Sequence, residues 1–362
     1  MSTSTRRWLF GAVSLALLGT APARAADAPG THDAAAVNKM LGRGINFGNG
    51  LDAPSEGEWG FSLKAEYFPA IKKAGFDSVR IPVRWAPHAG PAPDHKIDPT
   101  YMARVEWAVD QALNQGLAVV LNIHHDEAAA AEPEKYIPRA ATFWRQIAAR
   151  FEGRDERLVF ELLNEPNGAM TDDKWQASFP KLLAAIRQSN PKRVVMVGPG
   201  HWNSMDSLPG FTPPADDQNL IITFHYYSPF EFTHQDADWM PEAKAWHGRT
   251  WTGTPEQVAA LRKDLTRAAD WGKQHRRPLY LGEFGAYSKA DMPSRQAWTV
   301  AVARECEARG ISWCYWEFGS GFGAYDPGTD QWRRPILNAL IPPQAGEKAG
   351  ATGQPKHDLD PS

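Results

Sequence analysis

Short apolar segments alternate with amphipathic segments along most of the chain from residue 42 onward. Eight apolar segments, several of them rich in Val and Ile, have the composition of buried strands. They are GRGINFG, DSVRIPV, LAVVLNI, RLVFELLN, RVVMVG, NLIITFHY, PLYLGEF and ISWCYWE. Most are separated by stretches such as SLKAEYFPAIKKAG and TYMARVEWAVDQALNQG, whose apolar spacing predicts helices, and RPILNALI predicts a final helix.

Strands that alternate with helices in this way form parallel βαβ units. Eight units over about 300 residues predict an α/β fold, a single-domain (β/α)8 TIM barrel. An open doubly wound sheet is the alternative, but no G-x-G-x-x-G motif follows the first strand. In a barrel the active site forms at the C-terminal ends of the strands, so the residues at those ends become the candidates for chemistry.

The barrel domain is predicted to span residues 38–341, with other segments at both ends of the chain. Residues 1–25 predict a signal peptide, because Arg6 and Arg7 precede an apolar stretch too short to span a bilayer and ARA supplies a cleavage site. The adjacent arginines also fit a twin-arginine signal, and the sequence leaves the export route open. Residues 26–37 predict a flexible lead, and the polar residues 342–362 predict a disordered tail.

Charge, hydropathy and cysteine content exclude several classes of protein. Thirty-nine Lys and Arg against 42 Asp and Glu give a net charge of -3, without the basic footprint of a nucleic-acid binder. No second long apolar segment follows the signal, so an exported protein, periplasmic or secreted and without a stable membrane anchor, is predicted. Cys306 and Cys314 are predicted to lie on a helix end and the next strand, too far apart for a disulfide, and therefore to be free thiols.

Polar or aromatic residues stand at the ends of seven of the eight predicted strands. Because these ends meet at one face of a barrel, their side chains are predicted to form a site. In chain order they are Asn46, Asn49, Arg80, His124, His125, Asn164, Glu165, His225, Tyr226, Tyr227, Glu283 and Trp316.

Glu165 and Glu283 end strands on opposing parts of the ring, so their carboxylates can reach toward each other across its mouth. Cleavage of a glycosidic bond requires such a pair, one to protonate the leaving oxygen and one to attack or to activate water. A short separation of the two would mean retention of anomeric configuration and a wider one inversion, and the sequence does not supply that distance. Glu161, deeper in the fourth strand, is predicted to be an ion-paired barrel residue.

Other chemistries have weaker support in the sequence. Residues 124–127, HHDE, are rich in metal ligands, but neighbouring residues on a strand point to opposite faces, so His124 and His125 are not expected to share an ion. Neither an H-E-x-x-H nor a G-x-S-x-G motif is present. We therefore predict an enzyme without a metal or another cofactor.

Fifteen Trp residues make the chain rich in rigid aromatic surface. Residues 226–253 form a long segment with little helical or strand periodicity, and a connection of this length in a compact domain is usually functional. About half of its aromatic rings are expected to pack the loop, and the others to lie against the apolar faces of sugar rings. Further candidates for sugar contact, on other strand-end loops, are Trp59, Trp202, Trp316 and Phe322.

Taken together, these motifs resemble family 5 glycoside hydrolases, the retaining endo-β-glucanases and their relatives, and in particular the thermophile-type bacterial endoglucanases. LLNEP at residues 162–166 is similar to the acid/base motif of that family, and LGEFG at residues 281–285 to its nucleophile motif. The segments GRGINFGN, VRIPVRW, NIHHD, HYYSPFEFTHQ and YWEFGSGFG follow the family's order. The resemblance covers about residues 38–341 and implies a (β/α)8 barrel that cleaves polysaccharide.

The resemblance implies a role for each matching residue. Glu165 would be the acid/base and Glu283 the nucleophile, with the neighbouring charge of Glu283 contributing to a raised pKa of Glu165. Supporting roles would fall to Arg80 and Tyr227 at Glu283, to Asn164 at the sugar 2-hydroxyl, and to His124 and His225 in the polar floor. Substrate contacts would come from Asn49, His125, His234, Trp239, Trp316 and Trp202.

The expected protein is an exported, monomeric endo-β-1,4-glucanase, an O-glycosyl hydrolase of the cellulase type. A β-mannanase or a mixed glucan and mannan hydrolase is the alternative, because the sequence does not fix how the sugar C2 hydroxyl is held. A non-catalytic carbohydrate-binding barrel is a remote alternative, since both Glu165 and Glu283 are present. Asp126 stands where related sequences often carry an aromatic residue, and Asp52 where Glu is common, so both affect the expected substrate.

Overall fold

The computed structural model describes Met1 and residues 33–343. The predicted signal peptide, residues 1–25, lies outside the described residues apart from Met1, as do residues 26–32 and 344–362. Among the described residues, no helix is both long and apolar enough to cross a membrane.

Eight short strands of the described chain form a closed barrel, and every neighbouring pair is parallel. Strands pair in chain order, and the first and last strands close the ring, so that Gly44 pairs with Ser78 on one side and Cys314 on the other. The predicted (β/α)8 barrel is confirmed. The strands are β1 Arg43–Asn46, β2 Ser78–Ile81, β3 Ala118–Asn122, β4 Leu158–Glu161, β5 Val195–Val197, β6 Leu220–His225, β7 Leu279–Phe284 and β8 Ser312–Tyr315.

Helices follow the strands and cover the outside of the barrel, because each buries one apolar face against its neighbours. The periodicity of the sequence predicted them, and the final helix predicted at RPILNALI is confirmed. They are α2 Tyr67–Ala74, α3 Pro99–Asn114, α5 Pro133–Arg150, α6 Asp172–Arg187, α9 Pro255–His275, α10 Met292–Ala308 and α11 Arg334–Leu340. Beyond β8, β9 Tyr325–Asp326 pairs antiparallel with β10 Gln331–Trp332.

The helix α1, Ala34–Leu41, begins inside the segment predicted to be a flexible lead, so that prediction is wrong for residues 34–37. The Asp33 side chain caps the helix by accepting a hydrogen bond from the Ala35 N–H. Val37 and Leu41 share one helix face and pack against the apolar residues inside the barrel. The helix therefore gains its stability from tertiary contacts that local composition does not reveal.

The long segment of residues 226–253 contains two short helical pieces that the sequence did not predict, α8 Phe230–Thr233 and a 3₁₀ helix Pro241–Trp246. Neither is long enough to produce a readable periodicity. Two further short helices, α4 Glu127–Ala131 and α7 Gly200–Asn203, lie in the loops after β3 and β5, at the same end of the barrel. The loops that carry the candidate site are thus partly ordered by single helical turns.

Cys306 on α10 and Cys314 on β8 are both buried and unbonded, which confirms the prediction of free thiols. Burial raises the pKa of the Cys314 thiol to about 12, so it stays protonated at neutral pH. These thiols belong to the packed core and lie away from any reactive surface.

Candidate active site

The carboxyl groups of Glu165 and Glu283 face each other at the C-terminal end of the barrel. Glu283 lies on β7, and Glu165 follows β4 with a positive φ of 46° that turns the chain at the strand end. One oxygen of each carboxylate lies within 4.8 Å of the other. The sequence could not supply this separation, which is shorter than the roughly 6.5–9.5 Å of inverting pairs and suits a retaining one.

His225, the last residue of β6, lies between the two carboxylates. Its Nδ1 is 2.6 Å from Glu165 Oε1 and 3.7 Å from Glu283 Oε2. Burial lowers the pKa of His225 to about 4, so the imidazole is neutral near pH 7 and carries no charge toward either carboxylate. The expectation that His225 lies near Glu165 is met by this contact.

Arg80 lies beneath the pair, is fully buried, and donates hydrogen bonds to four side chains. Its Nε and Nη2 donate to Glu161 at 2.6 and 3.0 Å, which confirms Glu161 as an ion-paired barrel residue. Its Nη1 donates to Glu283 Oε1 at 2.7 Å and to Asn46 Oδ1 at 2.9 Å, and Nη2 donates to Asn164 Oδ1 at 2.7 Å. All five guanidinium protons are directed to acceptors, so Arg80 fixes the orientation of the groups above it.

Tyr227 and Asn164 complete the surroundings of the two carboxylates. The Tyr227 hydroxyl donates to Glu283 Oε2 at 2.9 Å, opposite the oxygen that Arg80 holds. Because Asn164 Oδ1 accepts from Arg80, the amide nitrogen of the same side chain is left to face the cleft as a donor. The Tyr227 contact is the one that the resemblance implied, and the role of Asn164 at a sugar hydroxyl stays a prediction.

The two carboxyl groups have pKa values displaced by their surroundings. Burial raises the pKa of Glu165 to about 7, while Arg80 opposes the rise and Glu161 adds to it. The sequence-based expectation named the charge of Glu283 as a contributor, whereas burial is the main cause. Burial also raises the pKa of Glu283 above its ordinary value, and His225, Arg80 and the Tyr227 hydroxyl limit that rise. Glu165 is therefore the group more readily kept protonated near neutrality.

The rings of His124 and Trp316 form one wall of the site. They stack in parallel, with centroids 5.5 Å apart, and His125 meets His124 edge-on at 4.6 Å. Trp59, 39% exposed, meets His125 edge-on at 5.6 Å, so aromatic surface continues away from Trp316. Asn49, with a positive φ of 66°, donates its backbone N–H to Asp52 nearby.

The aromatic residues of the long loop divide between packing and exposure. His234 is buried, with its ring stacked on Phe230 and edge-on to Tyr227. Trp251 is buried in the main core and so packs the fold, whereas Trp239 is 57% exposed. Trp202, on α7, is 49% exposed with a φ of 58°. Trp239 and Trp202 thus have free ring surface available to a ligand.

The argument that His124 and His125 point to opposite faces is wrong. The strand β3 ends at Asn122, so both histidines lie in the following loop, and ligand atoms of Asp52, His124 and His125 come within 4.8 Å of one another. Glu165, His225 and Glu283 form a second group of this kind. In that second group, His225 Nδ1 already contacts Glu165, and Glu283 is held by Arg80 and Tyr227. The prediction that the protein uses no metal stays a prediction.

Glu317 is a site residue that the sequence analysis missed. It follows Trp316, is 1% exposed, and its Oε1 accepts the Phe322 N–H. Burial raises its pKa well above the ordinary value and raises the pKa of nearby Asp52 to about 7. An acidic residue directly after the aromatic end of strand eight was the available signal, but only packing shows that it turns inward.

A cavity of about 200 Å³ opens beside Glu165, between the loops after β3 and β4. Asp126 forms one edge, where it caps α4 and pairs with Arg139, and the floor includes Ala129 and Ala130. On the Asp126 side, the lining residues of this cavity are acidic or small, and its ring surface comes from His124 and His125.

Comparison with known proteins gives consistent matches over the whole barrel. The family model described as Cellulase (glycosyl hydrolase family 5) matches residues 42–321. Endoglucanase H of Acetivibrio thermocellus is 37% identical over 311 residues, which cover 84% of this chain but only 33% of that protein. The chain thus spans about a third of the length of that relative.

Solved structures with the same fold include Thermotoga maritima Cel5A in complex with cellobiose. That structure is 45% identical in sequence, with a TM-score of 0.84, and the match covers 85% of this chain and all of the other. Thermotoga maritima Cel5A in complex with mannotriose matches with the same identity, TM-score and coverage.

Proposed function

The chain belongs to glycosyl hydrolase family 5, and we propose on that basis that it is a retaining endo-β-1,4-glucanase. The observation that carries the proposal is the Glu165 and Glu283 pair, with oxygens within 4.8 Å, set above a buried arginine. Oxygens this close favour the retaining arrangement, in which the two carboxyl groups are about 5–5.5 Å apart, over the wider inverting one. Burial raises the pKa of Glu165 to about 7, which suits it to donate a proton, whereas Arg80 and Tyr227 favour the ionised form of Glu283, which suits that group to attack.

In the proposed reaction, the Glu283 carboxylate attacks the anomeric carbon while Glu165 gives its proton to the departing glycosidic oxygen. A covalent glycosyl-enzyme and a shortened sugar chain result. Glu165, now ionised, takes a proton from a water molecule, which attacks the same carbon and releases Glu283. The Asn164 amide would donate to the sugar 2-hydroxyl, a contact that strengthens as positive charge develops on the ring.

The substrate surface would be formed by side chains on both flanks of the pair. His124, His125 and Asn49 would contact sugar on the Trp316 side, with Trp316 stacked against a sugar face. Trp239 and Trp202, the exposed rings, would contact sugars farther along the chain, and His234 would lie beneath them.

The matched structure with mannotriose favours a second candidate, hydrolysis of mannan or glucomannan by the same residues. Glucose and mannose differ at C2, where the hydroxyl is equatorial or axial. Asp52 is shorter than the Glu common in related sequences, which changes the reach of a carboxyl near this region. The two candidates share one mechanism and differ in substrate.

The proposal is tested by incubating the wild-type enzyme with carboxymethylcellulose, mixed-linkage β-glucan and glucomannan, and measuring reducing ends together with viscosity. An endo-acting enzyme lowers viscosity before many ends appear. The first product released from cellopentaose, followed by NMR, should carry the β configuration. Failure to cleave any of these polymers, or an α-configured first product, would refute the proposal, and a preference for glucomannan would select the second candidate.

A Tyr227→Phe substitution is expected to lower kcat about 10- to 100-fold and to move the acidic limb of the pH profile to higher pH. The hydroxyl donates a charge-assisted hydrogen bond to Glu283, worth roughly 1.5–3 kcal/mol when the acceptor is ionised. Its loss disfavours the carboxylate and raises the pKa of Glu283. The nucleophile then becomes ionised only at higher pH, so activity rises at higher pH than in the wild type. Rates on cellotetraose across pH measure both effects.

A matched control for this variant is Tyr287→Phe, which removes a hydroxyl that donates to Asp238 on the outer loop. It should leave the acidic limb in place. An unshifted limb in Tyr227→Phe would mean that the hydroxyl does not act on the nucleophile.

We also propose export of the protein through the signal in residues 1–25, and action on polysaccharide as a monomer without a membrane anchor. The support is the charged start, the short apolar stretch and the small residues before Ala26. N-terminal sequencing of protein recovered from the periplasm and the medium would test this, with a chain beginning at Ala26 as the expected result.

A further inference from the structure

The side chain of Asn122, the last residue of β3, lies against the ring of His124. Asn122 is fully buried, and its Nδ2 is 3.1 Å from His124 Nδ1. A side-chain amide nitrogen carries two protons and only donates hydrogen bonds, whereas an imidazole nitrogen either donates or accepts. The orientation of the Asn122 amide therefore decides the role of His124 Nδ1.

The other contacts of Asn122 determine that orientation. Its Oδ1 accepts the backbone N–H of Val83 at 3.2 Å, and its Nδ2 donates to Glu161 Oε2 at 3.3 Å. The Val83 N–H can only donate, and the Glu161 carboxylate, which is paired with Arg80, can only accept. Turning the amide over would set donor against donor and acceptor against acceptor. Nδ2 therefore faces His124 and gives its second proton to Nδ1.

The ring of His124 holds its single proton on the other nitrogen. Burial lowers the pKa of His124 well below its ordinary value, so the ring is neutral near pH 7. A neutral imidazole carries one proton, and Nδ1, which accepts from Asn122, leaves that proton to Nε2. His124 lines the cavity beside Glu165, and Nε2 is the ring nitrogen that Asn122 does not engage. The ring thus presents a donor, and not a lone pair, to the cleft.

The backbone around His124 is held by the same neighbours. The His124 N–H donates to the Val83 carbonyl at 2.8 Å, and the Asn122 carbonyl accepts the Trp85 indole N–H at 2.9 Å. Val83 thus contacts both residues, one through its N–H and the other through its carbonyl. The position of His124 relative to the amide is therefore fixed by the backbone as well.

We propose that Asn122 is a positioning residue that keeps the proton of His124 on Nε2, so that the ring donates to a bound sugar and is closed to metal ions. The part that concerns sugar rests on the proposed function, and the part that concerns metals does not. Metals matter here because ligand atoms of Asp52, His124 and His125 lie within 4.8 Å of one another. Asp52 is fully buried, and its Oδ1 has no hydrogen-bond partner in the described part of the chain.

A metal ion binds an imidazole through a bare nitrogen. In metal sites the other ring nitrogen usually donates its proton to a carboxylate or a carbonyl, which leaves the ligating nitrogen free. Asn122 provides the reverse, a donor to Nδ1, so Nε2 carries the proton and offers no lone pair. Asp52 and His125 are then left as two ligands, fewer than the three that zinc sites require. A sugar hydroxyl, which accepts as well as donates, suits the Nε2–H.

The first test observes the tautomer directly in the wild-type protein. Nitrogen-15 NMR distinguishes a protonated ring nitrogen from a bare one, and His124 is assigned by comparison with His124→Gln. We expect a protonated Nε2 and a bare Nδ1. This measurement needs no Asn122 variant, so a folding defect in such a variant does not affect it.

Asn122→Asp keeps the size of the side chain and replaces the donor with an oxygen. The new oxygen lies beside Glu161, and two carboxyl groups this close share one proton, because both cannot ionise together. Its remaining lone pair faces His124 Nδ1 and accepts from it. The proton of His124 is therefore expected to move to Nδ1 in the NMR spectrum of this variant.

Zinc binding measures the consequence of that move. Titration calorimetry of the untagged protein with zinc chloride at pH 7 should give a dissociation constant at least about tenfold lower for Asn122→Asp than for the wild type. The gain should disappear when His125→Ala is added, because a ligand is then missing. Zinc bound by Glu165, His225 and Glu283 would be common to all three proteins. Damage to the fold would weaken such a site and not tighten it.

Asn190→Asp is the matched control. Asn190 is buried, its Nδ2 donates to the Ala148 carbonyl at 2.7 Å, and it precedes β5 at the end of the barrel opposite the site. The same change of amide to acid at this position should leave both the His124 tautomer and the zinc affinity unchanged.

A wild-type His124 with its proton on Nδ1, or an Asn122→Asp variant in which Nδ1 stays bare, would overturn the inference. Zinc affinity that does not rise in a variant whose Nδ1 has gained the proton would overturn the closure to metals. These outcomes leave the proposed function intact. A wild type that cleaves no glycan but shows a protonated Nε2 overturns the proposed function and leaves the tautomer assignment standing.

Discussion

Replacing Glu283 with alanine is expected to lower kcat/KM for β-glucan by a factor of about 10⁵ to 10⁶, the scale seen when an enzyme loses its nucleophile. The carboxylate is 6% exposed at its side chain, held by Arg80 on one oxygen and Tyr227 on the other. Among the described residues, no other carboxyl group accepts hydrogen bonds from both a buried arginine and a tyrosine. Hydrolysis of aryl β-cellobiosides and of carboxymethylcellulose would measure the loss.

Added azide makes this prediction specific to the role of Glu283. A small anion can occupy the space left by the side chain and attack the anomeric carbon from the same face. The product expected from Glu283→Ala with azide and 2,4-dinitrophenyl β-cellobioside is therefore the α-configured glycosyl azide. Glu231→Ala, which removes an exposed glutamate on α8, should behave like the wild type. A β-configured azide from Glu283→Ala would show that the nucleophile has been misassigned.

Replacing Glu165 with alanine is expected to lower kcat/KM on cellotetraose about 10²- to 10⁴-fold, the usual contribution of a general acid. The loss should nearly vanish for 2,4-dinitrophenyl β-cellobioside, because that leaving group departs without protonation. Deglycosylation would then be slow, so a burst of dinitrophenol should precede the steady state. Azide should restore turnover and yield the β-configured glycosyl azide, since the attack comes from the face that Glu165 served.

Glu165 also sets the basic limb of the wild-type pH profile. The acid must be protonated to act, and its pKa is raised to about 7, so kcat/KM should fall as pH rises through about 7. In Glu165→Gln this limb should disappear from the profile with the activated substrate. A basic limb that survives unchanged in Glu165→Gln would mean that another group, and not Glu165, controls it.

The barrel and the two carboxylates could be predicted from the sequence because both follow from local patterns and topology. Strand and helix periodicity fixes the βα alternation, and eight parallel strands close in chain order. Once the strands close, residues at their C-terminal ends must converge, so Glu165 and Glu283 were placed without any knowledge of loops. That Glu161 is ion-paired inside the barrel was predicted from its position deeper in the fourth strand, whereas its partner, Arg80, is known from the structure.

Features in the loops could not be predicted in this way. His124 and His125 were assigned to a strand and expected to diverge, but β3 ends at Asn122 and both rings lie on one side. Glu317, the last residue of the predicted strand ISWCYWE, was not singled out from the sequence, yet it is buried beside Trp316. Trp251 and Trp239 looked alike in sequence, yet one belongs to the core and the other is exposed.

The sequence by itself determined the fold, the face of the barrel that carries the site, and the identity of the carboxylate pair. Those properties depend on periodicity and chain order, which are local or topological. Tertiary structure alone decided the distance between the carboxylates, the burial that raises the pKa of Glu165, and the buried surroundings of His225. These depend on contacts between residues far apart in the chain, and on how much water each group loses when the barrel closes around it.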